Sequence, residues 1–398
     1  MNQRLIWALS IFCALLPTYL IRFSLFGIPT TMLECLFLML FGWWVFEKKM
    51  GVVETLKIFA SFKITWPIFA ILLAATINIF VSPNLASALG IWKAYFIEPF
   101  LFGLILFDVL KHTSPNKLYL SLGASALFVS VFGLIQRLFN LPIPKPWDVE
   151  HRITSIYPYP NAVALFVAPI MMLALFESTK KHTTKHWQRL FWVSVYLFGW
   201  MAIFLAQSEA AMASVLFVTF LFFLSKKQTR IFAIIASVLV ALVCLFFLPA
   251  REAITQKIQF KDWSERVRIS QWTETMELLK DHPLFVAGLN GYPTALKPYH
   301  KATYLEIFQY PHNLFLNAWV ELGLLGLFGL LVLIGMMKWC VITTNPFYLS
   351  GSALALTQIG IHGLVDVPYF KNDLSMLTAI LLILFFFDYV YPRHASKK

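Results

Sequence analysis

The chain reads as an all-α, polytopic integral membrane protein, and two observations carry that reading. Of its 398 residues, 59% are hydrophobic and only 13% charged, with a mean hydropathy of +0.72; a soluble domain carries about 25% charged residues. Runs of about 20 mainly apolar residues, the length that crosses a hydrocarbon core, recur from one end of the sequence to the other. The weak period-two alternation of a membrane β-barrel is missing from those runs.

Taken in order, the runs fall at roughly 5–21, 28–46, 58–80, 89–109, 118–139, 159–177, 190–207, 210–225, 230–248, 313–337, 346–363 and 374–391, about twelve expected spans in one membrane domain, 1–398. The first run shows no small-x-small cleavage site and further spans follow directly, so it reads as a retained helix. Basic residues gather in alternate connections: Lys48, Lys49 and Lys57, Lys111 and Lys117, Lys180 to Arg189, Lys226 to Arg230, Lys338, and Arg393 to Lys398. Opposite short connections such as Val81–Ala86 and Ala206–Glu209 carry none. This is the positive-inside pattern; it puts both termini in the cytoplasm and the two substantial connections, 140–158 and 249–312, outside. The net charge of +12 therefore reports topology, not a nucleic-acid surface. Cys13, Cys35, Cys244 and Cys340 lie in or at the ends of apolar runs and read as small core residues.

The outer connections hold the polar chemistry. In 140–158, Pro142, Pro144 and Pro146 forbid a helix, Arg152 stands a few residues outside the membrane, and Asn161 reads as the cap of the next span. In 249–312, Ile269, Trp272, Met276 and Leu279 recur at three- and four-residue spacing, one apolar stripe that Pro283 ends. That pattern predicts a short amphipathic helix lying on the membrane face, with Arg268 near its start. A polar stretch then leads to Tyr310-Pro311-His312-Asn313, where a long apolar run begins.

Four charges fall inside spans, Glu34, Lys93, Glu98 and Glu321, and each is costly there unless paired or hydrated. Lys93 and Glu98 are five apart, poor spacing for a pair on an α-helix, whereas His362 and Asp366, four apart, share a face. Asn313, Asn317 and Glu321 step by four and read as a polar stripe for bonds between helices. Gly323 and Gly326 read as positions of close helix packing. Arginines and a histidine beside an apolar bundle suit an amphiphile with an anionic head. Guanidinium groups grip phosphate bidentately, and a histidine moves protons near neutrality. Arg268, Arg152 and His312 are the candidates. The outer connections contain neither an acidic pair nor a His-x-x-His grouping for a metal. Nothing in the chain resembles an ATP-binding loop, so a substrate must arrive already activated.

The run Arg268-x-x-x-Trp272, then His282-Pro-Leu284 with Gly288 shortly after, then His312-Asn313-x-x-Leu316 followed by Glu321-x-Gly323-x-x-Gly326, resembles the signature region of the O-antigen ligase and O-antigen polymerase superfamily. Arg152-x-x-Ser155 before Pro160-Asn161 is similar to that family's pattern ahead of its middle spans. The resemblance implies a GT-C-like glycosyltransferase, inverting and independent of metal or cofactor, at the outer face of the cytoplasmic (inner) membrane. Its partners would be an undecaprenyl-diphosphate-linked glycan donor, an acceptor (lipid A core, glycan or protein) and membrane lipids. Carried onto this chain, Arg268 would bind the diphosphate and His312 would be the essential histidine. One departure stands out: where many members have Ser-Arg-Gly, this chain has Gln207-Ser208-Glu209-Ala210. Arg152, Arg266 or Arg251 would then supply the second cation. Glu209, Asn313, Glu321 and Asp366 stay open between contact with an acceptor and a structural role. Two alternatives stand beside a ligase: a polymerase of lipid-linked repeat units, and a transporter or flippase that uses Glu34, Lys93 and Glu98 as a polar path. The transporter predicts internal repeats, and none is visible.

Overall fold

The computed structural model describes residues 2–25, 27–180, 185–246, 263–344 and 348–391. Arg251 and the start of the expected outer loop, 249–262, lie outside them. Helix α1 (Asn2–Ala14) runs through a 3₁₀ turn, Leu16–Leu20, into a two-stranded antiparallel hairpin, β1 (Arg22–Leu25) and β2 (Ile28–Thr31). The hairpin is a small departure within an otherwise all-helical fold. Gly27, at φ 80°, supplies a left-handed turn residue that other side chains rarely adopt. Thr31 then caps α2 (Met32–Lys48): its hydroxyl accepts from the Glu34 N–H while Glu34 accepts from the Thr31 N–H, each at 3.2 Å. Glu34 is thus the reciprocal member of a capping box at a helix start, and no longer an isolated charge within a span.

Helix α3 (Gly51–Ala60) precedes α4 (Trp66–Val81), after which α5 (Leu85–Ile91) passes through a π-helical segment, Trp92–Ile97, into α6 (Glu98–Leu110). The π segment overturns the expectation for Lys93 and Glu98. Five-residue spacing separates side chains on an α-helix, but an i→i+5 winding brings them together. Lys93 Nζ lies 3.9 Å from Glu98 and 3.2 Å from Glu34.

The remaining helices are α7 (Asn116–Leu138), α8 (Pro160–Ser178), α9 (His186–Leu205), α10 (Glu209–Ser225), α11 (Arg230–Phe246), α12 (Trp263–Asp281), α13 (Tyr292–Leu296), α14 (Leu314–Thr344), α15 (Gly351–His362) and α16 (Asn372–Tyr389). Among the described residues, six segments are long and apolar enough to cross a membrane: Lys63–Val81, α7, α8, α9, α14 and α16. Parts of α1, α10 and α11 are shorter apolar helices. Helix α8 forms the centre and is buried along nearly its whole length; Ala162, Ala164, Ala168 and Ala174 let α7, α9, α10 and α15 approach it. Helices α1, α2, α6 and α16 complete this main bundle, while α4 and α14 pack chiefly on each other. Large apolar side chains such as Phe204, Leu239 and Phe328 are exposed on the outside of the helices, as a lipid environment requires.

Candidate functional site at the capped end of the bundle

The predicted amphipathic helix exists as α12, and its predicted stripe divides. Leu279 is buried and Trp272 is bonded into the cap, whereas Ile269 and Met276 are exposed; the rest of the buried side is Val267, Gln271, Glu274, Thr275 and Leu278. The polar members of that side are buried because each has a partner. Gln271 Nε2 donates to the Tyr310 carbonyl at 2.9 Å, and Thr275 bonds the Tyr292 hydroxyl at 2.7 Å. Glu274 accepts from the N–H groups of Lys301 and Ala302 at 2.9 and 3.0 Å and pairs with His300 Nδ1 at 3.0 Å. Burial would raise the Glu274 carboxyl; the His300 bond and the two N–H groups outweigh it and hold it below its ordinary value. The same contact raises His300. Helix α12 is therefore the spine of a folded cap spanning 263–313, and packs through polar as well as apolar side chains.

The cap is joined to the α4–α14 pair through backbone. Ala287 N–H donates to Val320 O at 3.1 Å, Leu289 N–H to Asn78 O at 3.3 Å, and Leu324 N–H to Leu284 O at 3.2 Å. Helix α14 breaks where this insertion meets it, at Gly323 (φ 68°, ψ −174°). A Cβ at Gly323 would lie 2.5 Å from Leu284 O. Its role is to break the helix and admit the cap, which corrects the expectation of a packing glycine. Asn317 and Glu321, just before the break, are fully buried, and their side-chain polar atoms meet no hydrogen-bond partner among the described residues. The expected bonds between helices are not formed there.

The cap delivers His312 to the start of α14. Trp272 Nε1 donates to the Pro311 carbonyl at 2.7 Å, and His312 follows in a left-handed conformation, φ 45°. Asn313 caps α14, its Oδ1 accepting from Phe315 and Leu316 N–H at 3.0 Å, while its Nδ2 donates to Leu364 O at 2.8 Å. That bond ties the helix start to the 363–371 connection, which carries Asp366. His312 Nδ1 stands 3.6 Å from Asp366 Oδ1, an ion-pair separation, and the Phe308 ring lies edge-on to the imidazole. Burial would raise the Asp366 carboxyl, but His312, His362 behind it and the Val367 N–H bring it down to about 2. Asp366 is past the end of α15, so it does not share a helical face with His362 as expected.

The arginines divide. Arg268 Nε donates to Val365 O at 3.2 Å, next to Asp366, and its two terminal nitrogens make no hydrogen bond among the described residues. Arg152 is held by several partners: it donates to Ala206 O at 3.0 Å, to Asn161 Oδ1 at 3.2 Å and to Glu150 at 3.5 Å, and it stacks on Trp147. It clamps the 140–158 connection onto the end of α9. Asn161 is consequently its acceptor and not a cap; the N-cap position of α8 is Tyr159. Arg266 lies on the exposed face of α12. Glu209 opens α10, where a carboxylate is favoured by the helix dipole.

One group escaped the sequence reading. Lys371, the N-cap residue of α16, places its ammonium over the rings of Tyr159, Tyr157 and Tyr19 at 4.6, 5.2 and 5.4 Å. An apolar cavity of about 200 Å³ lies among α4, α6, α14, α15 and α16. Its wall includes Leu314, two residues after His312 in the chain, Phe370, and Met337 far along α14.

These features define a class: a polytopic membrane protein with a histidine–aspartate pair and an arginine at a structured cap, and an apolar cavity among its helices. Residues 192–331, about a third of the chain, match the family model described as O-antigen ligase. Arg268 and His312 lie inside the match; Asp366 and Lys371 lie beyond it. No curated protein matches the chain.

Proposed function

We propose that this protein transfers a glycan from a polyprenyl-diphosphate-linked donor to an acceptor at the outer face of the cytoplasmic membrane, as a ligase. The observation that carries this reading is the cluster of His312, Asp366 and Arg268 at the cap, close in the chain to residues that line an apolar cavity. A lipid-linked substrate needs a hydrocarbon surface that leads to a cation and a base, and Leu314, two residues after His312, and Phe370, four after Asp366, both line that cavity. All twelve apolar runs are read as spans, with the cap outside and both termini cytoplasmic, in keeping with the basic inner connections. Donor, acceptor and the GT-C comparison rest on the resemblance.

With Nδ1 directed at Asp366, His312 Nε2 is the ring nitrogen left for substrate; it has no partner among the described residues. In the reaction the acceptor hydroxyl oxygen bonds to the anomeric carbon, and the bond from that carbon to the diphosphate oxygen breaks. The polyprenyl diphosphate departs, and the hydroxyl proton passes to Nε2. Asp366 stabilises the resulting imidazolium, and Arg268 offers its terminal nitrogens to the departing diphosphate. The test is transfer by purified protein supplied with a diphosphate-linked glycan and candidate acceptors. His312→Ala and Arg268→Ala should each abolish product while leaving the thermal transition in place. Undiminished product in both variants would refute the assignment. The product's mass separates addition of one block from a ladder of repeats.

A further inference from the structure

We propose that Lys371, supported by Arg22, is the second cation of the site and seats the diphosphate of the lipid-linked donor opposite Arg268. The inference rests on the function proposed above and names a binding residue for it.

Three observations converge. First, the short connections at the capped end of the bundle carry two basic residues, Arg22 in the hairpin and Lys371 before α16. On the proposed topology these are the exceptions to the positive-inside pattern, which short exported connections otherwise obey. Arg22 acts electrostatically on Lys371 and on Tyr19, a ring of the lysine cage, though less strongly on the lysine than Asp373 and Asp366 do.

Second, the Lys371 ammonium is held without being satisfied. Three tyrosine faces from two distant connections surround it, yet Nζ makes no hydrogen bond and has no carboxylate at ion-pair distance among the described residues. A buried ammonium with its donors unused is costly to keep. Aromatic faces offset part of that cost and strip its water, which leaves it ready for an anionic oxygen.

Third, the neighbours are those of the site. Lys371 and Asp366 bracket the same 363–371 connection, and Arg268 is bonded to Val365 within it. Arg152 is held elsewhere, with three of its five N–H donors bonded to Ala206, Asn161 and Glu150.

The experiment measures equilibrium binding to the full chain in nanodiscs of a polyprenyl diphosphate carrying no sugar, with the matching polyprenyl alcohol as the uncharged control. Lys371→Gln should weaken diphosphate binding at least tenfold, about 1.4 kcal/mol, and leave alcohol binding unchanged; Lys371→Arg should recover most of the loss. Tyr159→Leu, which removes the nearest ring alone, should weaken diphosphate binding to a lesser degree. Wild-type affinity in Lys371→Gln overturns the proposal, and so does an equal loss for both ligands, the mark of a purely structural lysine. Binding is read apart from transfer. A wild-type protein that binds diphosphate through Lys371 but transfers no glycan sinks the ligase reading and leaves the seat standing.

Discussion

His312 sits in left-handed backbone, a conformation that costs a non-glycine residue of order 1 kcal/mol and persists only where its surroundings enforce it. The enforcement is visible on both sides: Trp272 holds the preceding carbonyl, and Asn313 both caps α14 and grips Leu364. Asp366 then fixes which ring nitrogen faces outward. Asp366→Asn keeps the shape but removes the charge, so kcat should fall by about 10²–10³, within the usual range for acid–base catalysis. The donor KM should change little, as steady-state transfer assays will show. Because Asp366 is held at about pH 2, its folded-state contribution is present above the ordinary carboxyl value and is lost only as pH falls toward 2. His312 and Arg268 were legible in the sequence from their motif. Lys371 was not, since its cage draws on tyrosines at 19, 157 and 159 that nothing in sequence spacing connects.

Among the elements, α12 shows why periodicity found the helix but only part of its inner face. Glu274 and Gln271 look solvent-facing by type, and only partners supplied 26 to 39 residues later make them internal. The Glu274–His300 contact sets a pH window. Glu274, lowered, contributes above its ordinary 4.5 and fades as pH falls; His300, raised, contributes fully below its ordinary 6.5 and fades as pH rises through its folded value. Amide protection of 297–305, corrected for intrinsic exchange, should peak between those pH values and flatten in Glu274→Gln. The break in α14 was hidden for a different reason: in an apolar run a glycine that breaks a helix looks like one that packs it. Gly323→Ala must hold φ 68° and displace Leu284 O, so it should lower the unfolding midpoint and speed exchange at Ala287 and Leu324.

For the whole molecule, hydropathy alone foretold a helical membrane body, since solvation in lipid is a property of composition. The hairpin and the π segment depend on local geometry that composition does not carry. The cavity gives the molecular-scale prediction. Gly360 lines it, and a Cβ there meets nothing within 4 Å. Gly360→Leu should leave stability unchanged or raise it by up to about 1 kcal/mol through helix propensity, yet increase KM for a long-chain donor more than for a short-chain analogue. The insertion of 284–291 between α4 and α14 bears finally on how the protein is made. Those residues leave the ribosome before α14 does, and their bonds reach back to Asn78 and Ser82, already synthesised. The cap segment can therefore settle on α4 first, and α14 is then threaded against a surface that dictates where it must bend.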